Sequence, residues 1–97
     1  MEAYSLNAVY KVNSDIAWRE INDEIVFYNP FDDRLCVFRS TAKFLWKRIN
    51  GEASVGDLAS QMIQEYEVKF EAAAEDTLNF LRGLCEARVL IKGGEKQ

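Results

Sequence analysis
The sequence has no histidine, one proline and only two cysteines in 97 residues. Cys36 and Cys85 lie far apart and neither belongs to a Cys-x-x-Cys pair, so zinc and dithiol redox motifs have no ligand set; two buried free thiols are expected. A Gly-rich phosphate loop and a Ser or Cys with a neighbouring base are also missing, so no residue takes a catalytic role and no cofactor or metal is called for. No apolar run approaches the ~20 residues of a membrane span. Met1-Glu2-Ala3 does not open a basic, apolar signal peptide, so the expected address is the cytoplasm, with no membrane partner. Basic charge is scarce as well: 12 Lys and Arg stand against 16 Asp and Glu, a net charge of −4. Nucleic-acid affinity draws on cations displacing counterions, so DNA and RNA are not expected partners.

What is present is a globular composition, 48% hydrophobic and 29% charged, enough for one modest core in one domain. Residues 1–15 show only weak alternation, in Ala8-Val9-Tyr10-Lys11-Val12-Asn13, and read equally as a frayed arm or an extra strand. A clear pattern begins at Ile16. The runs Ile16–Ile21 and Glu24–Asn29 are rich in aromatic and β-branched residues, and Asn22-Asp23 between them is a two-residue hairpin connection. Asn29-Pro30-Phe31-Asp32-Asp33 is a second turn, and its paired acids are turn chemistry rather than a catalytic dyad. A third strand then runs from Arg34 to Arg39. The result is a three-stranded meander with the third strand on an edge, its backbone free to pair with a peptide.

From Ser40 the period changes from two to about 3.6. Ala42, Leu45, Trp46 and Ile49 share one face of a first helix, with Ser40 or Thr41 as N-cap and Asn50-Gly51 as the stop. Ser54 and Asp57 form a capping-box pattern that opens a second helix, with Leu58, Ala59, Met62 and Ile63 inside. A third helix runs from Phe70 or Glu71 to near Arg88. Its apolar side, which includes Phe70, Ala73, Ala74, Thr77, Leu78, Phe80, Leu81, Leu84 and Cys85, is wider than two short helices can cover. Deeper burial, a dimer contact and a wall of a groove all account for the surplus. Val89-Leu90-Ile91 adds an apolar tail, and residues 92–97 read as a disordered end. The fold class is therefore α+β, a winged helix-turn-helix-like order of three antiparallel strands and three helices.

That order, with the residues that compose it, resembles the PqqD-like family, the precursor-peptide recognition elements (RREs) of ribosomally synthesised, post-translationally modified peptide (RiPP) biosynthesis. The matching residues are Arg19 and Asn22-Asp23-Glu24, Phe38 with Ser40-Thr41-Ala42, Leu45-Trp46 and Ile49-Asn50-Gly51. They continue with Ser54-Val55, Asp57-Leu58-Ala59, Tyr66-Glu67-Val68, Asp76, Phe80-Leu81, Leu84 and Val89-Leu90-Ile91, so the resemblance spans residues 16–91. The family often has Leu-Asn where this chain has Phe38-Arg39, and Gly before its final hydrophobic pair where this chain has Ala87-Arg88, a change expected to extend the third helix.

The resemblance implies a non-catalytic protein that binds the leader of a precursor peptide as an added strand and presents it to a modifying enzyme: a leader protease, a cyclase or a radical SAM enzyme. It implies a site with Leu35, Cys36, Val37 and Phe38 at the strand edge. Thr77, Phe80, Leu81, Leu84 and Cys85 would form an apolar wall, and Arg34 and Arg39 would meet acidic leader residues. Lasso peptide and pyrroloquinoline quinone pathways both use such modules, so PqqD proper is one alternative. A winged-helix DNA-binding regulator is another, but between Ser54 and Asp76 six acids face one base, Lys69, and such a helix pair repels phosphates. The uncovered edge and the wide helix also allow a homodimer.

Overall fold
The computed structural model describes residues 6–95. Its elements are β1 (Ala8–Val12), β2 (Trp18–Ile21), β3 (Glu24–Asn29), β4 (Arg34–Phe38), α1 (Ser40–Trp46), α2 (Val55–Glu65), α3 (Phe70–Glu86) and β5 (Leu90–Glu95). Strands β2, β3 and β4 form the expected antiparallel meander in that order, and β1 pairs antiparallel with β5 in a separate two-stranded sheet.

Local chemistry fixes the meander. Asn22 and Asp23 both take positive φ, 51° and 66°, the pair of left-handed residues that lets a two-residue turn match the twist of its strands. At the second turn the fully buried Asn29 accepts from the Phe31 amide at 2.9 Å and donates to the carbonyl of Ala87 at 3.0 Å, which ties the β3–β4 hairpin to the end of α3.

The helices begin and end somewhat differently from expectation. Arg39, not Ser40 or Thr41, is the N-cap of α1, and no side chain caps it. The Arg39 carbonyl instead accepts from the amides of Ala42 and Lys43. After Trp46 the chain tightens, with Arg48 bonded to Leu45 and Ile49 to Trp46, so the helix stops short of the predicted Ile49. The capping box of α2 is present in both halves: the Ser54 hydroxyl accepts from the Asp57 amide at 3.1 Å, and the Asp57 carboxylate from the Ser54 amide at 3.0 Å. Helix α3 is not extended through Arg88. Arg88 adopts φ 66° where Gly is usual, and the amides of Arg88 and Val89 bond back to Cys85 and Leu84, the pattern that closes a helix.

The core is organised on Trp46, 1% exposed. Its ring stacks on Phe27 at 5.0 Å, meets Trp18 edge-on at 5.8 Å and lies 5.4 Å from Phe38. Leu58, Ala59 and Met62 from α2 and Ala73, Ala74, Leu78 and Leu81 from α3 complete it, with Ala8 and Tyr10 from β1. The weak alternation at Ala8–Val12 is thus a strand. The sequence predicts a disordered end after Ile91, but β5 continues to Glu95 because β1 supplies its hydrogen-bond partner. The expectations for residues 1–5 of the arm and 96–97 of the tail lie outside the described residues.

Candidate peptide-binding site
The register of the meander determines which backbone groups of β4 are free. A two-residue hairpin is closed by a hydrogen-bonded pair, here Ile21 with Glu24. Since successive residues of a strand point their backbone groups to opposite sides, Glu24, Val26 and Tyr28 turn toward β2. Ile25, Phe27 and Asn29 turn toward β4, where they pair with Phe38, Cys36 and Arg34. Leu35 and Val37 are left with N–H and C=O directed at the open edge. Their side chains lie on the outer face of the sheet, at 69% and 41% exposure.

Cys36 and Phe38 point inward and are half-buried. Burial first, and then the Asp32 carboxylate, holds the Cys36 thiol above its ordinary value, against a pull from Arg34, so it stays protonated and unreactive at neutral pH. Phe38 meets Phe80 of α3 edge-on at 5.4 Å. Seven residues further along α3, Ala87 receives the Asn29 hydrogen bond, and Asn29 pairs with Arg34 at the opposite end of β4. These two contacts run α3 alongside the sheet, for about 10 Å at 1.5 Å per residue, against about 13 Å of β4. Leu84, one turn beyond Phe80 on the same helix face and half-buried, falls between them.

The wide apolar stripe of α3 therefore divides. Phe80 and Leu84 belong to the side that follows the sheet. Thr77 and Leu81 are both fully buried in the core, so they support the wall from behind rather than line it. Cys85 is half-buried and acts on Tyr10 of β1: burial and then Cys85 raise the Tyr10 hydroxyl above its ordinary value, while Arg82 opposes them. Of the two bracketing cations, Arg34 is exposed, whereas Arg39 is already ion-paired with Glu24 of the neighbouring strand. The pattern of single residues did not reveal a second polar cluster on α1. There Lys43 and Lys47 both reach the Glu20 carboxylate at 2.8 Å and hold it down at about 2. Their spacing of four residues on α1 is visible in the sequence, but their partner on β2 is not.

Among the described residues no three metal-ligating side chains cluster, and no helix is long and apolar enough to cross a membrane. Comparison with known proteins adds to this geometry. A family model described as coenzyme PQQ synthesis protein D (PqqD) matches residues 24–90. No curated protein matches in sequence. Three solved structures share the fold. TbiB1 in complex with the TbiA(beta) leader peptide is 19% identical, with a TM-score of 0.74, over 82% of this chain and 93% of that one. Lasso peptide synthetase B1 complexed with its leader peptide is 20% identical, with a TM-score of 0.75, over 84% and 96%. The third is the PqqD truncation of Methylobacterium extorquens PqqCD, a functional and stand-alone RiPP recognition element. It is 24% identical, with a TM-score of 0.72, over 92% and 95%.

Proposed function
The chain belongs to the PqqD family, and from that premise we propose that it is a non-catalytic adaptor of RiPP biosynthesis, which captures the leader of a precursor peptide on β4 and presents the attached core peptide to a modifying enzyme. The observation that carries this reading is the open edge of β4 lying beside Phe80 and Leu84 of α3. An incoming strand exchanges hydrogen bonds with Leu35 and Val37. Its residues opposite those two continue the outer face, while the alternate ones, opposite Cys36 and Phe38, point inward toward α3.

Backbone pairing alone is weak. Leu35 and Val37 each offer one N–H and one C=O, and at about 0.5–1.5 kcal/mol net per bond the set contributes about 2–6 kcal/mol. That corresponds at best to a Kd of tens of micromolar. Inward anchors two residues apart in the leader supply the remaining affinity and the selectivity. Exposed Arg34 adds a preference for an acidic residue at its end of the strand, a role less open to Arg39 because Glu24 already holds it. The enzyme served is a leader protease, a cyclase or a radical SAM enzyme, acting in the cytoplasm. Tethering raises the local concentration of the core peptide to the millimolar range for short flexible links. A second copy of the chain pairing through the same edge would compete with the leader.

The test is a titration of the protein with synthetic leaders from precursor genes adjacent to its own gene, followed by amide shifts and by the fluorescence of Trp18 and Trp46. Saturable binding with shifts concentrated in Arg34–Phe38 and around Phe80 and Leu84 is expected, and the leader that binds names the peptide class. A folded protein that binds none of these leaders refutes the adaptor role.

A further inference from the structure
The charge of this acidic chain is segregated. From Arg34 to Gly51 there are five bases and no acid, whereas the following stretch to Asp76 is predominantly acidic. The basic part is folded into a shape. Ser40, Lys43, Phe44, Lys47 and Arg48 of α1 and its C-terminal turn, with Tyr66 and with Asp23 of the β2–β3 turn, line an open depression of about 590 Å³.

Its cations are held in place before anything binds. Lys43 is held by Glu20 and, at 3.7 Å, by Asp23, and is 21% exposed, whereas Lys47, anchored on Glu20 alone among the described residues and 44% exposed, has donors to spare. The Arg48 guanidinium lies 3.6 Å above the Phe44 ring and donates once to the Phe44 carbonyl, which leaves other N–H groups of its planar fork without a partner among the described residues. Tyr66 packs edge-on against Phe44 at 5.4 Å and fixes that ring in turn. A fork held flat by stacking loses less freedom on binding than a free arginine.

We propose that this depression docks an acidic segment of a partner protein, a few residues bearing carboxylates next to an apolar side chain. The Glu20 contacts show that the lysines accept a carboxylate at 2.8 Å. A polyphosphate chain suits the surface less well, because Asp23 lines the depression and the stretch from Glu52 to Asp76 is acidic. The depression lies where α1 meets the β2–β3 turn, and its lining includes Ser40, two residues past the end of β4, but neither Leu35 nor Val37. A partner held there leaves that edge free. In identifying the partner as the enzyme that receives the leader, this inference rests on the adaptor role proposed above.

The test uses the full chain, labelled for amide shifts, and the acidic hexapeptide acetyl-Glu-Asp-Glu-Phe-Asp-Glu-amide as probe. Saturable shifts at Lys43, Phe44, Lys47, Arg48 and Tyr66 are expected, with none at Leu35–Val37. Raising the salt from low to physiological strength should weaken binding about ten-fold, and the double variant Lys47→Glu, Arg48→Glu should abolish it. Lys47 is exposed and Arg48 half-buried, so urea melts check that the variant is folded, and the same samples titrated with a leader should keep their leader affinity within about two-fold. Absence of saturable shifts, shifts that fall on β4, or equal shifts from inorganic phosphate at the same concentration would each overturn the proposal. Hexapeptide binding by a protein that binds no leader leaves the docking surface standing and removes the adaptor role.

Discussion

Proline at position 37 separates the two edges of β4. The register directs the Val37 amide away from β3, so Val37→Pro removes a donor that the fold does not use, at a place where an edge strand tolerates proline. Val37 is 41% exposed, so little packing is lost with its side chain. An added strand loses one hydrogen bond outright, and the pyrrolidine ring occupies the space its carbonyl needs, weakening the neighbouring bonds. At about 0.5–1.5 kcal/mol per bond, the equivalent of two bonds gives an expected loss of about 1–3 kcal/mol, or about 5- to 150-fold in Kd. Fluorescence anisotropy with a labelled leader reads this directly, and urea melts of the same protein check that stability is close to wild type. Cys36→Pro is the control with the opposite pattern: its amide belongs to the β3–β4 ladder, so the variant should be strongly destabilised before any peptide is added. A folded Val37→Pro protein with wild-type affinity would sink the assignment of the β4 edge, and a fully stable Cys36→Pro protein would sink the register.

Three further outcomes follow from the described geometry. Thr77 is fully buried and its hydroxyl has no hydrogen-bond partner among the described residues; Thr77→Val keeps the shape, removes a desolvated polar group and should stabilise the protein by about 1–2 kcal/mol in urea melts, whereas a loss of stability would mean that the hydroxyl is bonded. Ser54→Ala breaks one half of the α2 capping box and should cost about 1 kcal/mol, with an unchanged melt counting against the box. Glu20, held by Lys43 and then Lys47 at about 2 instead of 4.5, contributes stability that is complete above pH 4.5 and disappears as the pH falls toward 2. Glu20→Gln should flatten that part of the stability profile, and a Glu20 side-chain carbon titrating near 4.5 by NMR would contradict the pairing.

The meander and the order of the helices are legible in the sequence because local chemistry dictates them. Asn22-Asp23 tolerates two positive φ values, and Ser54 with Asp57 caps a helix wherever the rest of the chain goes. The β1–β5 pairing is hidden because it joins opposite ends of the described sequence, Val12 to Leu90 and Ala8 to Glu95, and neither Ala8–Val12 nor the Gly93-Gly94 segment has strong strand character alone. The same limit applies to the site. The edge strand can be read from its position after the last turn, but a helical wheel shows only that the stripe of α3 is wide. Which part of it meets the sheet depends on the Phe38–Phe80 contact and the Asn29–Ala87 bond, and these bury Thr77 and Leu81 instead of offering them to a peptide. At Arg88 a helix-compatible residue stands in a left-handed conformation, because Val89 and Leu90 must turn into the core and β5.

The ladder that joins Ala8 to Glu95 also brings the first and last described strands side by side. A short linker joining Glu95 directly to Ala8 would need to span little more than the separation of two neighbouring strands, about 5 Å. The protein should therefore accept circular permutation, with new ends cut into an exposed connection such as the one at Glu67–Lys69.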